Sequence, residues 1–165
     1  MYVVDNPPLH DVYIDHVTAF VPGVLMSILA REKQPNFSLT NSVFSLGGGR
    51  RPPFASAGGG PEACASKNQR FGGETVLAAC FAQYKFEHNL IISDRGSFPK
   101  GNIVVGSAEA AGIRDLKDNV SKDPRLCHAK GPGCSKVSPG VGAASDGRDL
   151  GADIDGVEAA IAGVE

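Results

Sequence analysis

The sequence contains no tryptophan, and aromatic residues make up only 7% of its 165 positions. No apolar run approaches the roughly 18 residues that a membrane-crossing helix needs; the most apolar stretch, Val21 to Ala30, is far too short. Excess charge of one sign is also missing. A formal net charge of −2 argues against a nucleic-acid partner, which wants a basic face. Met1 to Asp5 carry neither the basic region nor the apolar run of a signal peptide. They read instead like the middle of a repeat, so an upstream part is expected to be lacking.

What the chain does have is 21 glycines and 11 prolines, a mix that suits many turns and short strands better than long helices. With 42% hydrophobic and 21% charged residues it is globular and long enough for one continuous core. Four cysteines allow three connectivities. The local pairs, Cys64 with Cys80 and Cys127 with Cys134, are favoured because each closes a Gly/Pro-rich loop; bridging would imply an oxidising compartment. Neither pair has C-x-x-C spacing, which disfavours redox motifs and zinc ribbons. His128 would add a third zinc ligand beside Cys127 and Cys134, but no fourth lies near.

The informative feature is a weak internal repeat. Val12 to Phe20, Phe37 to Ser45 and Tyr84 to Ile92 each alternate apolar and polar, break at a His or Asn, and turn apolar again. Alternation of period 2 signals a strand. The breaks at His16, Asn41 and His88 suit a bend between strands, because such side chains bond nearby backbone and tolerate unusual dihedrals. Ile14 to Leu39 is 25 residues, one coil of a parallel solenoid, and Leu39 to Phe86 is 47. The excess is assigned to a Gly/Pro-rich surface insertion over 46–73. Gly101 to Val105 begins a fourth coil.

From Gly142 onward acids dominate. Asp155 and Glu158 have capping-box spacing, and Val157, Ile161 and Val164 recur at helical intervals. This predicts a short amphipathic helix covering the open end of the last coil, since terminal coils otherwise expose apolar core and unpaired strand edges.

Ser138 to Asp155 resembles the "SPaiGaGtDGkDiGAD" ending of many bacterial right-handed β-helix proteins of the pectin-lyase-like superfamily. The segments around Ile14 to Phe20, Leu39 to Ser45 and Phe86 to Ile92 look like that superfamily's coil repeats, and Arg125-Leu126-Cys127 matches its usual preceding step. The resemblance implies an all-β chain of about four parallel coils over 1–141, closed by a C-terminal cap over 142–165. It further implies a secreted protein associated with polysaccharide or oligosaccharide. Many members are lyases or glycoside hydrolases, working from coils that here would lie upstream; others are adhesins or tailspikes. The main structural rival, a β-sandwich, would need antiparallel hairpins and more tight Asn-Gly or Asp-Gly turns.

Stacking the repeats places Tyr13, Ser38 and Lys85 in one outward column and Asp15, Thr40 and Glu87 in the next. Tyr13, Asp15, Lys85 and Glu87 are therefore the candidate carbohydrate-binding residues: a ring to stack on sugar and charges to pair with its substituents. The same outward polarity is what any solvated strand face shows. His10, His16 and His88 could serve as bases, although the repeat already explains His16 and His88. Asp146, Asp149, Asp153 and Asp155 could form an oxygen-rich Ca²⁺ loop, but their spacing also fits turns and caps, and no metal or other cofactor is assigned. The choice lies between a non-catalytic polysaccharide-recognising fragment, the C-terminal part of a carbohydrate-active enzyme, and a purely structural coil. Exposed coil ends would favour a homo-oligomer.

Overall fold

The computed structural model describes residues 2–4, 9–21, 24–46, 54–57, 64, 71–116 and 121–164. Eleven short strands dominate: β1 (Tyr2–Val4), β2 (Val12–Asp15), β3 (Thr18–Val21), β4 (Met26–Leu29), β5 (Gln34–Thr40), β6 (Val43–Leu46), β7 (Ala55–Ala57), β8 (Phe71–Gly72), β9 (Phe81–Glu87), β10 (Leu90–Ile92) and β11 (Ile103–Val105). Three short helices, α1 (Thr75–Cys80), α2 (Ala108–Ala111) and α3 (Ile154–Ile161), complete the described elements. The strands form three sheets, ordered β1-β4-β7-β8, β2-β5-β9 and β3-β6-β10-β11. Every strand pairing is parallel except β7 with β8. The chain visits the three sheets in rotation: β1, β2, β3, then β4, β5, β6, then β7, β9, β10.

Register follows the repeat. Ile14 lies beside Leu39, and Leu39 beside Phe86. Hydrogen bonds from Val17 N–H to Ser42 Oγ and from Thr40 Oγ1 to Asp15 Oδ1 both span 25 residues.

The bends carry the architecture. His16, Asn41 and His88 have φ of 49°, 52° and 54°, and Gly101, next in the stack, has φ 86°. Each passage from the second sheet to the third thus turns at one left-handed residue, a conformation that only Gly adopts freely and that Asn and His tolerate best among the rest. The residue after each bend satisfies its neighbours. Asn89, fully buried, accepts from Ser42 N–H and donates to the Leu39, Glu87 and Asn102 oxygens. Asn102 in turn accepts from Asn89 N–H and donates to Phe86 and Pro99 carbonyls.

Alternating side chains from all three sheets meet in one apolar core that includes Met26, Ile28, Phe37, Leu39, Phe44, Phe86 and Ile91. The third sheet is covered on both faces. Val43, Leu90 and Ile92 point the other way and pack against Ile113, Leu126, Ala144 and Leu150 of the C-terminal segment. All four residues of β6 are buried for that reason, as expected of a strand sandwiched on both sides.

Three sequence expectations need correction. The stretch 46–73 is not surface insertion throughout: Phe54, Ala55 and Ala57 are core residues and β7 pairs with β4. The Phe54 ring meets that of Phe86 with centroids 4.6 Å apart, which pulls this stretch inward. Gly47 to Gly49, Pro52, Pro53 and Gly58 to Gly60 lie outside the described residues. The tail helix exists as α3 but buries none of its side chains, and Val157, Ile161 and Val164 are exposed. Its preceding segment lies along the third sheet instead: Gly151 N–H donates to the Asn41 carbonyl, and Ala152 N–H to Thr18 Oγ1. Nor is Asp155 its cap. Asp153 accepts from Gly156 N–H, while Asp155 and Glu158 both turn to Arg125.

The two cysteine pairs are bridged, Cys64 to Cys80 and Cys127 to Cys134. No helix among the described residues is long and apolar enough to cross a membrane.

Two tests address this framework. Asn89→Ala strands several buried backbone groups at once and should destabilise the fold by about 2–4 kcal/mol in chemical denaturation; a loss below about 0.5 kcal/mol would show that the corner ladder is dispensable. Replacing Cys127 and Cys134 by Ser should cost about 2–3 kcal/mol for so short a loop, measured the same way, and no change would contradict a native bridge.

Candidate functional site

The outward face of the β2-β5-β9 sheet is built in rows, because parallel pairing brings equivalent positions side by side. One row holds Asp15, Thr40 and Glu87, and the next Tyr13, Ser38 and Lys85. Asp11 and Asn36 begin a third row, with Asn36 beside Gln83. The columns proposed from sequence therefore stand together on one surface.

The rows differ in how far their polar groups are occupied. Asn36 Nδ2 donates to Asp11 Oδ1. Asp15 accepts from His16 Nδ1 at 2.9 Å, and from Thr40 Oγ1 and Asn41 Nδ2 at 2.8 Å each. Partial burial pushes the Asp15 carboxyl up, but these three hydrogen bonds and the neighbouring imidazole outweigh it and hold the group below the usual carboxylate range. The middle row is unoccupied. Tyr13 is 71% exposed, and neither its hydroxyl nor the Lys85 ammonium has a partner among the described residues. Two strand spacings separate them, roughly 9–10 Å.

Other sequence candidates fall elsewhere. His10 and His88 are exposed, and His88 serves as the bend residue. His16 is also a bend residue, but its ring is mostly buried between Asp15 and Asp146. The Asp146, Asp149, Asp153 and Asp155 set does not converge. Asp146 pairs with Arg148, Asp149 accepts from Gly142 N–H, Asp153 caps α3, and Asp155 holds Arg125. Hydrogen bonds from the Arg148 guanidinium and backbone keep Asp146 well ionised. Among the described residues no group of three or more His, Cys, Asp or Glu side chains could hold a metal ion. The thiolates that a zinc site at His128 would require are consumed by the Cys127–Cys134 bridge.

A cleft of about 570 Å³ opens between segments 124–134 and 148–155, with His16 among its lining residues. Sequence reasoning missed it, because only the tail's lodging on the third sheet brings its two walls together and sets them beside the distant His16.

In comparisons with family models, curated proteins and solved structures, the chain finds no match in any of the three.

The tied row sets an acid response. Because the folded Asp15 carboxyl sits below its ordinary value, its stabilising contribution is present above about pH 4 and is lost as pH falls through the lowered folded value. Asp123 and Asp146 are displaced in the same direction and add to the effect. Asp15→Asn should therefore lose less thermal stability than the parent between about pH 4 and pH 2. Parallel melting-temperature profiles for the two proteins would remove Asp15 from the acid-sensitive set.

Proposed function

We propose that the chain is the C-terminal part of a secreted, right-handed parallel β-helix of the pectin-lyase-like type, and that it recognises polysaccharide without turning it over. The carrying observation is the unoccupied Tyr13–Ser38–Lys85 row, flanked by the Asp11–Asn36 pair on one side and the Asp15–Thr40 pair on the other, both already tied. An exposed aromatic ring on a flat sheet supplies an apolar platform for the C–H face of a sugar and a hydroxyl to bond its edge. Two spacings away, Lys85 supplies a cation for a uronate carboxylate, and Glu87 an acceptor for hydroxyls.

The β-helix reading rests on the rotation through three sheets, parallel in every strand pairing but β7 with β8, and on the stacked left-handed bends. Two disulfides support an extracellular setting, since such bridges persist in oxidising compartments. Among the described residues the outer edges of β1, β2 and β3 have no strand partner, which suits pairing with further coils or with a second copy of the chain.

The alternative, a lyase or hydrolase fragment, finds less support. Asp15 and Glu87 stand two strands apart, near the upper limit for an inverting carboxylate pair. Both Asp15 oxygens are already engaged by His16, Thr40 and Asn41, and an ionised, fully bonded carboxylate is a poor proton donor.

Titration calorimetry against pectate, alginate and neutral glycans should detect saturable binding with at least one of them. No new unsaturated-product absorbance or reducing ends should appear. Tyr13→Ala should weaken that binding about tenfold, and Lys85→Ala should weaken it only for the acidic polymers. Absence of binding to every glycan would sink the proposal, and product release would turn it toward the enzyme reading.

A further inference from the structure

We propose that the cleft between segments 124–134 and 148–155 is a second ligand site, and that it takes a neutral saccharide unit read through its neighbouring hydroxyls. It stands apart from the Tyr13 row and does not depend on sugar binding there.

The cleft is preorganised. One wall is the loop closed by the Cys127–Cys134 bridge, which carries His128 and Lys130 and is braced by paired backbone hydrogen bonds between Gly131 and Cys134. The other wall is pinned at Leu150 to the Gly140 carbonyl, at Gly151 to Asn41 and at Ala152 to Thr18. Gly151 has φ 88°, and a Cβ there would meet Val43 Cγ2 at 2.9 Å, so this wall is seated too closely for any side chain. Pro124, Pro132 and Ile154, none of them buried, add apolar surface. A site fixed before binding spends little affinity on ordering itself, and about 570 Å³ falls within the usual range for small-molecule sites.

Its chemistry selects the ligand class. Charged side chains come as matched pairs: His128 Nε2 lies 2.6 Å from Asp149 Oδ2, Arg148 Nε 2.6 Å from Asp146 Oδ2, and Arg125 Nε 2.8 Å from Asp155 Oδ1. Arg114 faces Asp123 at 3.4 Å. Lys130 is the one lining cation with no partner among the described residues, too little for a phosphate, sulfate or polyanion, which calls for clustered free cations. No Phe, Tyr or Trp lines the cleft among the described residues, and its planar cations, His128, Arg125 and Arg148, are held edge-on by carboxylates. What remains is a set of donors and acceptors held side by side at fixed spacing. A hydroxyl donates and accepts at once, and adjacent hydroxyls on a rigid ring match such pairs, while the ring's C–H face suits Pro132 and Ile154. Beneath them His16 Nε2 is buried without a hydrogen-bond partner among the described residues, 3.7 Å from Asp146 Oδ2. A buried polar atom in that condition calls for a polar neighbour. The Asp146 carboxylate beside it disfavours an anionic group in this part of the cleft.

The test is an amide-shift titration of the full chain with glucose, galactose, mannose and their disaccharides, with galacturonate and inorganic sulfate as comparison ligands. At least one neutral sugar should give saturable changes confined to amides of 128–131 and 148–153, at up to about 100 mM ligand. His128→Ala and Asp149→Asn should each weaken that binding about tenfold, while Tyr13→Ala leaves it unchanged. The mapping on the unmodified protein stands even if a variant fails to fold. Three results would overturn the proposal: no saturable change at these amides with any neutral sugar, tighter binding of galacturonate or sulfate, or a response abolished by Tyr13→Ala and indifferent to His128 and Asp149. Failure here leaves the sheet-face reading untouched, and the reverse holds as well.

Discussion

The structure depends on a two-residue corner repeated along one line: a left-handed residue followed by one whose side chain or backbone completes its neighbours' hydrogen bonds. His16–Val17, Asn41–Ser42, His88–Asn89 and Gly101–Asn102 occupy it in turn. Holding a non-glycine residue in the left-handed region costs about 1–2 kcal/mol, so three of the four corners carry strain. That strain is offset by burying a connected polar ladder, Ser42–Asn89–Asn102, in which each member bonds the next. Inside a low-dielectric core such a network is stable only when complete. Completion fixes the register of every strand on either side, because a shift of one residue would both break the ladder and turn Ile14, Leu39 or Phe86 outward.

Asn41 ties this corner to the rest of the molecule. Its backbone makes the bend and its carbonyl receives Gly151 N–H. Its side chain bonds Asp15 on one side and Ser145, 104 residues away, on the other. The C-terminal segment is thereby laid against the third sheet, where Leu126, Ala144 and Leu150 bury Val43, Leu90 and Ile92. That covering leaves the third sheet no free face for a ligand. The outward face of the second sheet stays open, and the same segment creates the cleft at its own margin.

The parts legible in the sequence were those with local causes. Alternation marked β2, β5 and β9, the His/Asn breaks marked the bends, and cysteine proximity marked both bridges. The rows followed once three segments were laid in register. The first sheet was not legible. β4 is four residues with a single polar position, Ser27, too short for its alternation to stand out, and β7 is three residues set among glycines and prolines. β6 and β10 hid their second buried face, since a strand apolar on both sides carries no period. The capping box at Asp155 and Glu158 lost to a competitor 30 and 33 residues away, Arg125, whose guanidinium engages both acids. Long-range competition of that kind leaves no trace in local spacing, and the cleft escaped notice for the same reason.

The two walls of that cleft are held by unlike forces. Residues 150–152 are fixed by backbone hydrogen bonds to Gly140, Asn41 and Thr18 and by the burial of Leu150, none of which responds much to salt. From Asp153 onward the chain buries no side chain in α3 and is joined to the body through Arg125, which bonds Asp123, Asp155 and Glu158 together. Exposed ion pairs weaken as ionic strength rises. Rising salt therefore loosens the helix end of the cleft while the sheet end stays in place. The exposed Val157, Ile161 and Val164 follow from the same arrangement: a helix anchored by charge at its first turn need not bury its apolar stripe to stay attached.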